Sequence, residues 1–129
     1  MALVIIIIKM LGIFFFEMLG TAAITGPASI FYEQATLQEP AAAFEFSYQQ
    51  SLLYMCMIYF AMLLICTPVS GGHFNPALTF SVFLICPNKR DKISKLVLMV
   101  SAQFVGGLIG LGWGRVVRFQ LLKDPAAKV

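Results

Sequence analysis

Few residues in this chain could do covalent chemistry, and none are arranged for it. His73 is the only histidine, and no nucleophile or metal-ligand cluster surrounds it. The three cysteines, Cys56, Cys66 and Cys86, lie in or beside apolar segments without metal spacing. Their odd number argues against a disulfide framework, so they read as buried, inert thiols. No catalytic residue, metal or cofactor is expected. The stretch that can do chemistry is Ser70-Gly71-Gly72-His73-Phe74-Asn75-Pro76-Ala77-Leu78-Thr79, and its chemistry is hydrogen bonding. Asn75 is a favoured helix N-cap, and Pro76 suits the first helical position, where a missing N–H costs nothing. The carbonyls of Gly71, Gly72, His73 and Phe74 precede that cap and cannot pair within the helix, so they form a ladder of acceptors. The Asn75 amide offers donors beside them, or its oxygen caps the helix. With the positive end of a helix dipole at its foot, such a ladder suits a neutral hydrogen-bonding solute and disfavours a cation. His73 is expected to brace the loop rather than titrate.

These residues must be positioned inside a membrane. At 129 residues, 60% hydrophobic and 12% charged, with mean hydropathy +0.87, the chain has too few charges to cover a soluble surface. A net charge of +3 without interleaved surface aromatics gives no nucleic-acid interface. The partner is the lipid bilayer. The pattern predicts spans over about 8–31, 48–67 and 93–117, the second ended by Pro68, with Lys9 snorkelling to the interface. A signal peptide is the alternative for the first apolar stretch, and Glu17 in its middle argues against it. The segment after Asn75, a helix over about 76–86, is half the length needed to cross, so it enters the membrane and stops. Non-helical backbone at that depth is tolerated only where it is buried in protein or lines a watery cavity.

Glu17 either faces a partner or a cavity, or sits at the edge of a shorter helix. The loop over 33–50 carries Glu33, Glu39 and Glu45 but no Lys or Arg, whereas the turn from Cys86 to Lys95 holds Lys89, Arg90, Lys92 and Lys95. The positive-inside rule then puts the N-terminus in the cytoplasm. In the third span, Gly106 and Gly110 share one face and Gly107 another, allowing close backbone approach. Trp113, near its end, suits an interfacial anchor.

The loop Ser-Gly-x-His-x-Asn-Pro-Ala-x-Thr, at Ser70, Gly71, His73, Asn75, Pro76, Ala77 and Thr79, resembles the first signature loop of the aquaporin and aquaglyceroporin family. Glu17-Met18-Leu19-Gly20-Thr21 is similar to that family's first-helix pattern Glu-x-x-Gly-Thr, and Ala102-Gln103 to its third helix. The resemblance implies an all-α membrane fold, three transmembrane helices plus one re-entrant half-helix. It implies passive movement of water or small neutral solutes such as glycerol. It makes Gly71, Gly72, His73, Phe74, Asn75, Pro76 and Ala77 pore-lining, and Glu17 a buried acceptor bracing the loop's N–H groups. Gln103 is either part of that support or an interhelical hydrogen bonder with no role in transport. Met55, twenty residues before Asn75, falls where the family usually places an aromatic residue of its selectivity filter. It lines a wider filter or is core or lipid-facing filler.

Family members carry two inverted repeats, and residues 1–129 resemble one of them. A second Asn-Pro-Ala and the arginine that follows it are missing, and Arg115 and Arg118 do not stand in that context. Three readings remain: the amino-terminal half of a longer protein, a half-channel completed by another chain, or a homo-oligomer of copies paired in opposite orientations. Four basic residues at 86–95 face four in Arg115, Arg118, Lys123 and Lys128, so orientation bias is weak. By the resemblance, complete pores assemble as a tetramer. The alternative function is a non-conducting, truncated membrane protein acting as a structural or interaction module.

Overall fold

The computed structural model describes residues 1–37 and 48–123. Four helices follow one another: α1 (Ala2–Leu37), α2 (Tyr48–Ser70), α3 (Pro76–Ile85) and α4 (Lys89–Lys123). The fold is all-α, and three helices are long and apolar enough to cross a membrane, over Ala2–Tyr32, Gln49–Ser70 and Lys92–Gln120. The chain is an integral membrane protein. Its exterior is apolar, with Phe15, Leu64, Phe104 and Leu108 exposed, while Glu17, Thr21, Ser70, Thr79 and Gln103 are buried. A bilayer rewards this distribution, because apolar side chains face lipid and polar ones must find partners inside.

The long helices extend beyond the expected spans. Helix runs unbroken through Lys9, because an apolar segment in lipid must pair its backbone N–H and C=O groups internally even where Val4 and Ile5 to Ile8 have modest helix propensity. Helix α1 therefore starts at Ala2 rather than near residue 8, and it continues to Leu37. The acidic segment is therefore helical over residues 33–37. Glu39 and Glu45 lie outside the described residues, as does Lys128. Pro68 does not end α2, which runs on to Ser70. Pro68 has no N–H for the Leu64 carbonyl, which weakens that turn without ending the helix; Gly71 stops it by adopting φ +101° while its N–H donates to the Thr67 carbonyl at 3.1 Å. The basic turn shrinks to Cys86–Asn88, and Lys89 to Lys95 form the first turns of α4.

Helix α1 sits between α2 and α4, and α3 packs on α4. Glycine makes the α1–α4 seam possible. A Cβ at Gly106 would overlap the Met18 carbonyl, one at Gly110 would lie 2.8 Å from the Ala22 carbonyl, and one at Gly114 2.6 Å from that of Gly26. The close approach expected on the Gly107 face is absent, since a Cβ there meets open space. Trp113 is not a simple interfacial anchor either. Its indole covers Gly26, its Nε1–H donates to the Ala22 carbonyl at 3.2 Å, and α4 continues ten residues further.

Candidate functional site

The site is built where the chain leaves α2. Ser70 Oγ donates to the Cys66 carbonyl at 3.2 Å and accepts the Gly72 N–H at 3.1 Å, so one hydroxyl finishes α2 and starts the turn. Gly72 is also left-handed, at φ +65°, and Phe74 shares that region at φ 48°. Few non-glycine residues adopt it without tertiary support. For Phe74 that support comes from its buried ring, which stands edge-on to Tyr59 with centroids 6.2 Å apart and fills the space a Cβ at Gly20 would occupy. Tyr59 lies eleven residues before Ser70, about 16 Å back along α2. The loop therefore doubles back beside α2 by roughly half the ~30 Å hydrocarbon thickness.

From that depth α3 returns. Its ten residues, about 15 Å long, follow the cap Asn75, whose φ −144° and ψ 121° are extended and whose Oδ1 accepts the Ala77 N–H at 2.8 Å. The helix ends at Ile85, one residue before the expected boundary, where the Cys86 N–H turns back to the Phe83 carbonyl at 3.2 Å. With Oδ1 committed to the cap, the Asn75 amide nitrogen has no partner among the described residues and stands on an exposed side chain.

Glu17 holds the loop from α1. Its Oε1 accepts the His73 N–H at 3.0 Å, and its Oε2 accepts the Phe74 N–H at 2.9 Å and Gln103 Nε2 at 2.7 Å. Glu17 is 0% exposed, so these three donors replace water around a carboxylate in the bundle interior. Gln103, from α4, also donates to Thr79 Oγ1 at 2.8 Å and thereby ties α1, α3 and α4 together. Its Oε1 is buried without a partner.

Thr79 belongs to the signature loop, but sequence reasoning gave it no role. Its hydroxyl lies 3.0 Å from the Asn75 carbonyl and 3.2 Å from His73 Nδ1 while accepting from Gln103. A single hydroxyl proton serves one of the first two. If it goes to Asn75, His73 carries its proton on Nδ1 and leaves Nε2 an acceptor. The signal for Thr79 was its place four residues after Asn75, one turn along and on the same face.

The loop's donors are thus used on the side of α1 and α2, and its acceptors are left. No described donor reaches the carbonyls of Gly71, Gly72, His73 or Phe74. Gly71, Asn75 and Ala77 are exposed, Gly72 and Phe74 buried, His73 and Pro76 half-buried. Met55 stands apart from this group, half-buried on α2 one turn before Tyr59. The described residues contain no group of three or more His, Cys, Asp or Glu that could hold a metal.

The model of the family described as Major intrinsic protein matches residues 5–126. Among individual proteins, a probable aquaporin PIP2-6 of Oryza sativa subsp. japonica is 38% identical over 52 residues, 40% of this chain and 17% of its own length. An aquaglyceroporin of Toxoplasma gondii is 35% identical over 57 residues, 43% of this chain and 21% of its own. Aquaporin-4 of Bos taurus is 46% identical over 44 residues, 34% of this chain and 13% of its own. The matched segments thus cover about a fifth or less of these relatives. No solved structure matches the chain.

Proposed function

The chain belongs to the major intrinsic protein family, and from that premise we propose that it supplies one half of a passive channel for water or small neutral solutes. The observation carrying this reading is the division of labour in the loop. Glu17 and Ser70 take up the N–H groups of Gly72, His73 and Phe74, while four consecutive carbonyls and the Asn75 amide stay available. A solute with both a donor and an acceptor exchanges its water contacts for these. A cation entering there meets the positive end of α3. The aquaporin and aquaglyceroporin names among the relatives fit both solute classes.

In this reading residues 1–129 form one repeat, with Met55 on the filter side of α2. The second wall comes from further residues of a longer polypeptide, from another half-channel chain or from another copy of this one, and the basic start of α4 faces the cytoplasm with the N-terminus. The test is osmotic shrinkage of liposomes carrying the chain, followed by stopped-flow light scattering beside empty liposomes. Copies that close the wall between themselves shrink their liposomes faster. An empty-liposome rate with insertion confirmed assigns the second wall to residues other than these 129, and supplying them, as a longer polypeptide or a second chain, must then restore shrinkage.

Asn75→Asp is the discriminating variant. Aspartate keeps the cap to the Ala77 N–H, so α3 forms, but it removes the amide donor and adds a charge beside the carbonyl ladder. Conduction is expected to fall at least about tenfold, the equivalent of 1.4 kcal/mol on the barrier. Unchanged conduction in an inserted Asn75→Asp chain removes the Asn75 amide from the mechanism.

A further inference from the structure

A cavity of ≈ 140 Å³ lies between α3 and the start of α4, with no lining residue from α1 or α2. Its inner end is polar, at His73 and Thr79, and its outer end holds Cys86, Lys92 and Lys95. From Thr79 to Cys86 it follows α3 for about 10 Å. The Lys92 ammonium donates to Cys86 Sγ at 3.2 Å, which holds that charge beside the thiol. Among the described residues no carboxylate pairs with either lysine, and Glu17 is consumed by the loop.

Lys92 and Lys95 thus line one cavity with no counter-charge among the described side chains, between walls that include Phe83 and Leu96. Such a cavity favours an anion. Taking ~30 Å³ for each water, it holds about four or five, matching the five heavy atoms of a phosphate group. Basic pockets between membrane helices, at the level where a bundle meets the headgroups, are where lipid phosphates bind.

We propose that this cavity binds a phosphate group, that of an anionic lipid headgroup or free phosphate, between Lys92 and Lys95. The apolar walls would flank the glycerol end of a lipid. The Thr79 hydroxyl and the His73 ring, which meet at 3.2 Å, close the inner end. Occupancy therefore reaches the back of the loop that carries the carbonyl ladder.

Cys86 reports on the cavity directly. In a Cys56→Ser chain it is the accessible thiol, since Cys66 is buried. The full chain is placed in phosphatidylcholine nanodiscs, and the rate of Cys86 labelling by uncharged N-ethylmaleimide is measured. One arm adds inorganic phosphate, and the other replaces part of the lipid with phosphatidic acid. At about ten times Kd the unoccupied fraction, and with it the labelling rate, falls about tenfold. Protection by inorganic phosphate assigns the free ion, and protection by phosphatidic acid alone assigns the headgroup. Protection must vanish in Lys92→Ala/Lys95→Ala and persist in Lys89→Ala/Arg90→Ala, which removes equal charge from residues that do not line the cavity. Labelling unchanged in both arms overturns the proposal. Equal protection in Lys92→Ala/Lys95→Ala, or its loss in Lys89→Ala/Arg90→Ala, also overturns it, because binding would then be diffuse surface charge.

Discussion

Glu17 shows how one side chain sets the geometry of a loop 56 residues away. It offers acceptors to two consecutive loop N–H groups, and Gln103 completes its shell. Removing it leaves those N–H groups buried and unpaired, at about 1–3 kcal/mol each. Glu17→Ala is therefore expected to lose about 2–6 kcal/mol, read as a lower thermal midpoint in detergent. Glu17→Gln, which keeps one carbonyl oxygen, should fall between. A midpoint unchanged in Glu17→Ala would mean that the loop is held by Ser70 and the Phe74 ring alone. A charge in an apolar run announces that it needs partners, and so Glu17 was legible in the sequence. Its partners were not, because nothing local distinguishes His73 and Phe74 from other amides. The left-handed Phe74 was hidden for the same reason: its φ is sustained by Tyr59 and by the missing Cβ of Gly20.

Among the elements, the α1–α4 seam decides where α1 presents Glu17. Gly106, Gly110 and Gly114 recur every fourth residue and let the two backbones meet. A side chain at Gly106 must push Met18, the neighbour of Glu17, so Gly106→Leu should misplace the carboxylate and destabilise the bundle by several kcal/mol, as overpacked cores do at about 1–3 or more. Gly107→Leu, which meets open space, should stay within about 0.5 kcal/mol. Thermal denaturation of the pair in detergent checks this, and equal losses would mean that the seam is not tightly packed. Periodicity identified both glycine faces as candidates, but the direction each one faces depends on where α1 lies. Helix ends were missed outward for a related reason. Residues such as Lys9 and Lys92 are good helix formers, so hydropathy marks where a span leaves lipid and not where the helix stops.

For the whole molecule, the decisive property is the exposed side of the loop. Asn75 and Ala77 are uncovered within a single chain, at a depth where a lipid contact would leave the carbonyl ladder unsatisfied. In the proposed channel that side is covered by a second wall. If copies supply it, the detergent-corrected mass is at least twice the 14.2 kDa of one chain, measured by light scattering with refractive index in mild detergent. A purely monomeric chain would place the second wall on residues other than these 129.

The sequence by itself determined the features that act over a few residues or through bulk composition. These are the membrane environment, the turn at Gly71 and Gly72, the Asn75 cap with Pro76 behind it, and a following helix too short to cross. Each follows from hydropathy, from φ preferences or from a cap that reaches two residues along the chain. Only the tertiary structure decided that Glu17, Gln103, Thr79 and His73 share one hydrogen-bond network, that Gly106 rather than Gly107 faces α1, and that Lys92 and Lys95 meet at one cavity. Those outcomes require elements distant in sequence to settle at particular depths and rotations against each other. Backbone contact between α1 and α4 sets those rotations, and the spacing of residues within either helix does not.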